Sequence, residues 1–395
     1  MSFSPKQKIY VALSGGVDSA TVAAILVEKG FDVTAVYMKN WSSDFGIAND
    51  CPWEEDVADV EKVAKHLGIE WKVFNFEREY RERVLQYFYD EYRAGRTPNP
   101  DILCNNKVKF DLFLNRAIEE GANSIATGHY ARRAMPNSPF QWESNLPFGL
   151  YTALDDSKDQ GYFLQRLSRE QLEKATFPLG NLFKSEVRIL AEHYNLPVAK
   201  KKDSQGICFI GDIDVREFLK RELKTRPGDI VDIDTDAVVG KHQGLWFYTI
   251  GQRQGLGIGG IEIPYYVVKK DQENNRIYVS HGRENEYLHA KKIEIEAVHE
   301  ISGEIKNDSE VWVSLRYRES PKKAMFHKTG DESATLEFEE YGWAPAPGQS
   351  ALLYESNIPK TSMQPLVEAS KILKKLSRES TQERVAPILG GGVIS

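Results

Sequence analysis

The residues with the clearest chemical potential form a short glycine-containing run, Ser14-Gly15-Gly16-Val17-Asp18-Ser19. An apolar stretch at residues 9–13 precedes the run and another at residues 20–27 follows it, so the pattern predicts a strand, a turn and a helix. Glycines let a backbone approach a phosphate closely, and a helix N-terminus directs N–H groups and a positive dipole end towards it. Serine hydroxyls add donors, and Asp18 can hold Mg²⁺ or cap the helix. The run lacks the ending of the P-loop and the glycine spacing of the dinucleotide fingerprint, so it predicts a phosphate site of another type.

Two further segments combine a cysteine with polar residues. Residues 96–105 are Arg-Thr-Pro-Asn-Pro-Asp-Ile-Leu-Cys-Asn, and the two prolines restrict the backbone around Asn99, Asp101 and Cys104. An aspartate near a cysteine at a helix N-terminus can act as acid or base, while the helix dipole lowers the thiol pKa. Residues 202–211, Lys-Asp-Ser-Gln-Gly-Ile-Cys-Phe-Ile-Gly, contain Cys208. We expect both thiols to lie in polar loops, whereas Cys51 is expected to be a buried small apolar residue.

The elements that must position these residues alternate between strands and helices over residues 1–210. Predicted strands cover residues 9–13, 31–38, 69–76 and 123–127. Predicted helices cover residues 20–27, 54–67, 77–93 and 107–120, with a loop at 94–103. This alternation is typical of a parallel sheet with helices on both faces, which binds ligands at the carboxyl ends of its strands. We therefore expect the glycine run, the proline-containing loop and Gly128 to meet at one edge of the sheet.

Beyond residue 210 the pattern becomes mostly β. A short helix is predicted at residues 215–223, followed by a turn and short strands to about residue 287. Further predicted strands, which favour a small barrel, lie at residues 292–296, 311–318, 334–338 and 350–354. A last amphipathic helix is predicted at residues 365–376 and carries Lys371, Lys374 and Lys375.

Composition limits the class of protein. The 395 residues exceed one comfortable hydrophobic core, and no stretch of about 20 apolar residues is present that could span a membrane. The first eight residues lack the apolar region of a secretory signal. Three cysteines without a Cys-x-x-Cys pair exclude a disulfide scaffold and favour a reducing, cytoplasmic setting. The net charge of −7 argues against binding of nucleic acid through bulk positive charge, but it leaves room for a local basic face.

The glycine run is similar to the pyrophosphate-binding loop (PP-loop) of enzymes that split ATP between its α- and β-phosphates and adenylate a substrate. Further matching segments cover nearly the whole chain in order: residues 97–104, 127–130, 157–160, 177–180, 203–208, 248–253, 255–260, 315–317 and the glycine-rich end. On these segments the chain resembles the bacterial tRNA-specific 2-thiouridylase (MnmA) family. The PP-loop alone is shared with several ligase families, whereas the two cysteine segments together are specific.

The resemblance implies an α/β fold in three parts. These are an N-terminal parallel-sheet, adenine nucleotide α-hydrolase-like (PP-loop) domain at residues 1–210, a small central tRNA-binding or linker domain at 211–288, and a C-terminal β-barrel at 289–395. It implies ATP-dependent 2-thiolation of the wobble uridine of tRNA. In this reaction the uracil C2 oxygen is adenylated and persulfide sulfur then replaces it, giving AMP and pyrophosphate. ATP and Mg²⁺ are the implied cofactors, and tRNA and a sulfur-donor protein (a cysteine desulfurase or a sulfur relay carrier) are the implied partners, with no membrane.

Individual residues acquire roles from the same resemblance. The implied ATP-binding residues are Ala12, Leu13, Ser14, Gly15, Gly16, Val17, Asp18, Ser19, Met38 and Gly128, with Asp18 also a candidate Mg²⁺ ligand. The implied target-base residues are Asn99, Pro100 and Asp101. Cys104 is the implied nucleophile, Cys208 the persulfide carrier and Asp101 the proton donor or acceptor. The implied tRNA contacts are Lys158, Asp159, Gln160, Arg316 and Tyr317.

One segment departs from the family pattern. The last barrel strands usually follow each other closely in the family, whereas about residues 357–386 intervene here. We expect the helix in this insert to be a solvated surface element, with a basic partner-binding face as the less favoured alternative. His129 is expected to be structural rather than a base. The lysines at 200–202 fit a solvated turn and a phosphate contact equally well.

Two other functions fit part of the sequence. One is another PP-loop adenylating ligase, such as an amidotransferase-coupled enzyme, in which the cysteine segments would be incidental. The other is a non-catalytic RNA-binding relative that retains a nucleotide site. The complete glycine run and both cysteine segments argue against the second.

Overall fold

A computed structural model describes residues 6–41, 53–136, 138, 140, 146–202, 215–259, 262–356, 365–376 and 386–395. Cys51 and Cys208 lie outside these residues, so the expectations for both cysteines stay predictions. Among the described helices, none combines the length and apolar character needed to cross a membrane.

The N-terminal domain is built on a parallel five-stranded sheet. The strands of this part of the chain are β1 (Lys8–Ala12), β2 (Asp32–Lys39), β3 (Glu70–Asn75), β4 (Ser124–Ala126), β5 (Arg132–Ala134), β6 (Gly149–Tyr151) and β7 (Ala175–Thr176). The sheet has the order β3-β2-β1-β4-β7, and all its pairings are parallel. The hairpin β5–β6 belongs to a different sheet. β1 is apolar at nearly every position because both of its faces are covered.

Helices of the N-terminal domain lie on both faces of this sheet and around it. They are α1 (Val17–Glu28), α2 (Trp53–Leu67), α3 (Glu77–Tyr80), α4 (Gln86–Arg93), α5 (Pro100–Cys104), α6 (Leu114–Glu119), α7 (Gly161–Leu164), α8 (Arg169–Glu173) and α9 (Lys184–His193). π-helical segments at Arg81–Leu85 and Asn105–Phe113 join α3 to α4 and α5 to α6. Ile9 and Val11 of β1 pack in one apolar cluster with α1 and α9, whereas Tyr10 packs in another with α4 and α6. The predicted parallel sheet with helices on both faces is confirmed.

The order of the strands creates a crevice at the carboxyl end of β1. β2 and β4 pair with β1 on opposite sides, so the chain leaves β1 towards one neighbour and returns later beside the other. A switch of this kind opens the edge of an α/β sheet to ligands. The glycine run lies directly after β1, and Gly128 follows β4.

The predicted end of the loop, at residue 103, is wrong, because helix α5 already begins at Pro100. The Asn99 side chain accepts hydrogen bonds from the backbone N–H groups of Asp101 and Ile102, at 3.1 and 3.4 Å. Asn99 is therefore an N-cap, and proline is well suited to the first helical position. This pairing of Asn with Pro is a helix-start signal, and the sequence interpretation treated it as part of a loop.

The central domain combines helix α10 (Val215–Glu222) with a four-stranded sheet. The strands are β8 (Gly228–Asp232), β9 (Val238–His242), β10 (Tyr265–Asp271) and β11 (Arg276–His281), in the order β10-β11-β8-β9. Phe218 and Leu219 of α10 are buried in the apolar cluster that includes Ile230 and Val267. The predicted helix and short strands are therefore present.

The C-terminal domain is a closed β-barrel. Its strands are β12 (His289–Glu300), β13 (Ser309–Ser314), β14 (Lys322–Gly330), β15 (Ser333–Trp343), β16 (Ser350–Tyr354) and β17 (Pro387–Ile394). β12 pairs with both β15 and β17, which closes the sheet on itself. β17 also pairs with β6, so the hairpin β5–β6 of the N-terminal domain extends the barrel sheet. The predicted barrel is confirmed, and the shared sheet ties it to the N-terminal domain.

The segment between β16 and β17 contains helix α11 (Ala369–Leu376). Its apolar side chains Ile372 and Leu376 are buried in the cluster that contains Val187 and Leu190 of α9. The expectation of a solvated surface element is therefore wrong for this face of the helix, because the amphipathic stripe has a partner in the N-terminal domain.

Candidate active site

The glycine run forms a tight turn between β1 and α1. Gly15 has a φ of 77°, and a Cβ atom there would lie 2.8 Å from the backbone oxygen of Asp56, so a larger residue would meet both strain and a clash. The Ser19 hydroxyl accepts a hydrogen bond from the Ser14 N–H at 3.2 Å and donates to the Gly16 carbonyl at 3.2 Å. The N-cap residue of α1 is Gly16, which has no side chain with which to cap the helix. The turn thus presents a helix N-terminus suited to an anion.

Asp18 holds two partners that the sequence interpretation did not assign to the site. The Lys184 ammonium lies 2.7 Å from each carboxylate oxygen, and the Tyr130 hydroxyl donates to Oδ1 at 2.9 Å. The Lys184 and Asp18 side chains are 14% and 31% exposed. Lys184 is the first residue of α9, where a cation opposes the helix dipole. That unfavourable placement is the signal by which the sequence could have singled out Lys184.

Asp18 is suited to Mg²⁺ only together with other ligands. Among the described residues, no group of three or more His, Cys, Asp or Glu side chains is arranged to hold a metal ion. Mg²⁺ is commonly held by one or two carboxylates plus the phosphates of a substrate. The single carboxylate of Asp18, beside an uncapped helix N-terminus, fits a metal that arrives with a nucleotide.

Gly128 follows β4 at the edge of the sheet where the sequence predicts it, and Met38 lies near the carboxyl end of β2. A Cβ atom on Gly128 would stand 3.1 Å from the backbone nitrogen of Ser19, so the loop after β4 presses on the first turn of α1. Met38 is buried with Ala12 in the same apolar cluster. His129 is buried, and its Nδ1 lies 2.7 Å from the Thr127 hydroxyl. Loss of hydration holds the pKa of His129 well below its usual value, so the ring is neutral and the structural interpretation is the better one.

Lysine 201 belongs to the wall of this crevice. Its ammonium lies 2.8 Å from Asp56 Oδ1 and 2.9 Å from Asp59 Oδ2, both on α2. Asp56 is the residue whose backbone oxygen lies against Gly15. Lys201 therefore braces α2 beside the glycine turn, which is neither of the two interpretations that the sequence left open.

The environment of Cys104 differs from the predicted polar loop. Cys104 is the last residue of α5 and is fully buried. It shares an apolar cluster with Ile102, Met38 and Ala12, whereas Asp101 and Asn99 are only half-buried. The reason is helical geometry: the start of α5 at Pro100 turns the cysteine inwards and leaves Asp101 in the first turn.

The segment before α5 is held by all three domains. The Thr97 N–H donates to the Pro347 carbonyl at 2.8 Å, and the Thr97 carbonyl accepts from the Gln349 amide at 2.6 Å, both in the barrel. The Thr249 hydroxyl of the central domain donates to the Thr97 hydroxyl at 3.3 Å. The junction of the three domains therefore positions the residues from Asn99 to Cys104.

The segment 158–160 has internal partners in this conformation. The Asp159 carboxylate accepts hydrogen bonds from the backbone N–H groups of Ala153 and Gly161, and burial raises its pKa to about 6. The Gln160 side chain accepts from the Tyr130 N–H at 2.9 Å. Because Tyr130 in turn donates to Asp18, this segment supports the glycine turn. Lys158 is half-buried in the same turn.

Arg316 and Tyr317 lie in a bend after β13 rather than on a barrel strand. The Arg316 guanidinium donates to the carbonyl of Ile250 in the central domain and, at 3.0 Å, to that of Ala344 in the barrel. Burial lowers the Arg316 pKa from its usual value. The ring of Tyr317 lies 4.5 Å from that of Phe163, between centroids. In this conformation both side chains contact neighbouring domains, and their contact with tRNA stays a prediction.

The fold and the crevice define an α/β nucleotide-binding protein with two appended β domains, and the comparisons with known proteins agree. Three family models match in order: "tRNA methyl transferase HUP domain" at residues 7–212, "tRNA methyl transferase PRC-barrel domain" at 216–281, and "Aminomethyltransferase beta-barrel domain" at 290–358.

Individual relatives identify the family within this class of nucleotide-binding proteins. The tRNA-specific 2-thiouridylase MnmA of Verminephrobacter eiseniae is 43% identical over 91% of this chain and 98% of its own length. The proteins of the same name from Neisseria meningitidis and Bacillus subtilis are 44% and 42% identical, over 89% and 88% of this chain and 93% and 92% of their own lengths. The chain belongs to the tRNA-specific 2-thiouridylase (MnmA) family.

Proposed function

We propose that this protein is a tRNA-uridine 2-sulfurtransferase, which uses ATP to replace the C2 oxygen of the wobble uridine with sulfur. The observation that carries the proposal is the uncapped, glycine-led N-terminus of α1, which opens at the switch point of the sheet beside the Asp18–Lys184 pair. Identity of about 43% with thiouridylases over most of the chain supports the reaction class. The proposed setting is the cytoplasm, and the proposed domain limits are residues 1–210, 211–288 and 289–395.

ATP is proposed to bind with its phosphates at the glycine turn. The proposed contacts are Ala12, Leu13, Ser14, Gly15, Gly16, Val17, Asp18, Ser19, Met38 and Gly128. The Lys184 ammonium lies close enough to Asp18 to move onto a phosphate oxygen when the nucleotide arrives. Mg²⁺ would neutralise phosphate charge with Asp18 as its protein ligand. The N–H groups of α1 and the Lys184 ammonium would stabilise the pyrophosphate as it leaves.

Activation by ATP is required because the uridine C2 oxygen is a poor leaving group. Attack of that oxygen on the α-phosphorus forms an O–P bond and breaks the bond to the β-phosphate oxygen, so pyrophosphate departs. The C2 oxygen can then leave as part of AMP. Asn99, Pro100 and Asp101 are proposed to receive the uracil, and Asp101 to take or give the proton at the N-terminus of α5.

Sulfur is proposed to arrive as a persulfide on Cys208. The Cys104 thiolate attacks the Sγ atom of Cys208, which forms a disulfide and releases hydrosulfide, and hydrosulfide then displaces AMP from C2. In the alternative sequence the terminal persulfide sulfur attacks C2 directly and displaces AMP, and the Cys104 thiolate then attacks Sγ of Cys208, which forms the disulfide and releases the thiolated base. Because Cys104 is fully buried on α5, both routes require this helix to expose the thiol when tRNA binds. A thiol reductant would reduce the disulfide to the two cysteines, and a sulfur-donor protein would then restore the persulfide on Cys208.

Contacts with tRNA are proposed at Lys158, Asp159, Gln160, Arg316 and Tyr317. Gln160 supports the glycine turn from within the N-terminal domain, and Arg316 lies at a contact between the barrel and the central domain, so tRNA would act on segments that also hold the site together. An aromatic ring beside an arginine suits stacking on an exposed base.

The test is reconstitution with purified components. The protein is incubated with ATP, Mg²⁺, a persulfide-generating cysteine desulfurase with cysteine, and unmodified tRNA. The nucleosides are analysed by mass spectrometry, and AMP and pyrophosphate are measured in the same reaction. Formation of 2-thiouridine with equal amounts of AMP is the expected result. Conversion of uridine to an aminated base would instead favour the amidotransferase-coupled ligase. Binding of tRNA without formation of AMP would favour a non-catalytic RNA-binding protein.

A further inference from the structure

Helix α11, in the insert before β17, is the outer helix of a three-helix stack with α9 and α1. Ile372 and Leu376 of α11 are 0% and 1% exposed and share an apolar cluster with α9 and α1. α9 lies between α11 and α1 in this stack, because it contacts both of them. α1 and α9 are the two helices whose first turns carry Asp18 and Lys184. The insert is therefore connected to the crevice through a single intervening helix.

The polar contact between α11 and α9 involves the fully buried carboxylate of Glu186 on α9. The Glu186 side chain is 0% exposed, and the Lys375 ammonium of α11 lies 2.9 Å from Oε2 and 3.2 Å from Oε1. Oε1 also accepts the backbone N–H of Leu366 at 2.9 Å. Two of the groups that satisfy this carboxylate thus come from the insert. A buried carboxylate whose cation is removed is strongly unfavourable, so this contact must hold for Glu186 to stay in place.

Glu186 fixes the first turn of α9. Its Oε2 accepts the backbone N–H of Phe183, the residue before the helix, at 2.9 Å. Lys184 lies between these two residues in the sequence, and its own N–H donates to Asp155 Oδ2 at 2.9 Å. The direction in which the Lys184 side chain leaves the helix therefore depends on the capped turn that Glu186 closes.

We propose that the insert is a positioning element of the nucleotide site: Lys375 and the Leu366 N–H hold Glu186, Glu186 fixes the first turn of α9, and this turn places the Lys184 ammonium against Asp18 and the phosphates. Lys375 and Glu186 are positioning residues, since neither touches the crevice. The inference rests on the proposed function only in that ATP binds at the glycine turn.

The test compares K375M with K371M on the same helix. Within the described part of the chain, Lys371 pairs only with Glu368 at the surface, with the two side chains 61% and 54% exposed, so K371M is the matched control. Calorimetry measures the Kd for ATP–Mg²⁺, and a filter assay measures the Kd for tRNA. We expect K375M to weaken ATP binding about tenfold, the equivalent of ~1.4 kcal/mol, and to leave tRNA binding unchanged. K375R, which restores the cation, should bind ATP as the wild-type protein does. If K375M does not fold, K375Q retains a donor and serves in its place.

A double-mutant cycle tests the route through Lys184. On a K184M background, K375M should weaken ATP binding no further, because its effect acts through the missing ammonium. If K375M and the wild-type protein bind ATP with equal affinity, this inference is overturned but the proposed function is not. Parallel losses of ATP and tRNA binding, or full additivity with K184M, would reveal a general structural role and would also overturn it. Failure of the wild-type protein to bind ATP would overturn the proposed function as well.

Discussion

Replacement of Lys184 by Met tests the electrostatics of the crevice most directly. The substitution keeps much of the side-chain volume and removes the ammonium that lies 2.7 Å from both oxygens of Asp18. The Asp18 carboxylate then faces the incoming phosphates without its cation. We expect the free energy of ATP binding to change much more than the free energy of unfolding.

The magnitude follows from the exposure of the two side chains. Lys184 is 14% exposed and Asp18 is 31% exposed, so the pair is screened by solvent on one side. A hydrogen bond to a charged group contributes about 1.5–3 kcal/mol, and loss of one between Lys184 and a phosphate would weaken ATP binding roughly 10- to 150-fold. Stability should fall by less than about 1 kcal/mol, because water can hydrate the half-exposed carboxylate of Asp18.

Calorimetric titration with ATP–Mg²⁺ measures the affinity, and urea unfolding measures the stability. Lys72→Met is the matched control, because the Lys72 ammonium lies 2.6 Å from Glu120 Oε2 in a second lysine–carboxylate pair. The backbone carbonyl of Glu120 accepts a hydrogen bond from the ammonium of Lys8, at the start of β1, at 3.5 Å. This control should bind ATP normally. The reasoning is refuted if K184M binds ATP within about threefold of the wild-type protein, or if the K72M variant loses as much affinity as K184M does.

Four further predictions concern other parts of the molecule. Asp18→Ala should abolish ATP-to-AMP turnover, and near-normal pyrophosphate release would contradict the role of the glycine run. Burial raises the pKa of Asp159 to about 6 in the folded state, above its ordinary value of 3.8, so the native state binds the proton more tightly than the unfolded state. The contribution of Asp159 to the free energy of unfolding should therefore fall by roughly 3 kcal/mol at most as pH rises from about 4 to about 6. Urea unfolding at pH 4.5 and 7 should show this loss in the wild-type protein and not in Asp159→Asn. Cys208→Ser should form adenylated tRNA without 2-thiouridine, and normal amounts of 2-thiouridine from this variant would disprove the persulfide role of Cys208. Cys104→Ser should still accept persulfide sulfur on Cys208 but fail to transfer it. Arg316→Ala should weaken tRNA binding with ATP affinity unchanged, and equal tRNA affinity at moderate salt would assign this guanidinium to the interdomain contacts alone.

Local sequence was sufficient for the glycine turn and for most of the N-terminal elements. Ser14 to Ser19 and their flanking apolar runs specify a strand, a turn and a helix within about 20 residues, where neighbours in sequence are neighbours in space. The same reasoning gave the correct end of α2, since Gly68 adopts a φ of 65° directly after Leu67. It misplaced the start of α5, because the Asn99 cap was not distinguished from an ordinary turn residue.

The burial of Cys104 and the docking of α11 could not be obtained in this way. Cysteine is often buried, but the polar residues around Cys104 in the sequence favoured a loop, and the inward direction of this side chain is set by the start of α5. The apolar stripe of α11 shows that this helix has a partner, but the pattern does not say which surface it covers.

The sequence by itself determined that a glycine turn suited to a phosphate follows the first strand of a parallel α/β sheet, and that two β-rich domains follow. These features depend on short-range periodicity, turn chemistry and recognisable segments. Only the tertiary structure decided which distant charges meet there. Lys184 reaches Asp18 across 166 residues, and Lys375 reaches Glu186 across 189. Charges so far apart in the sequence meet because of how the helices and domains pack, and because a buried charge without a partner is unfavourable. Neither the packing nor the burial can be predicted from a local sequence pattern.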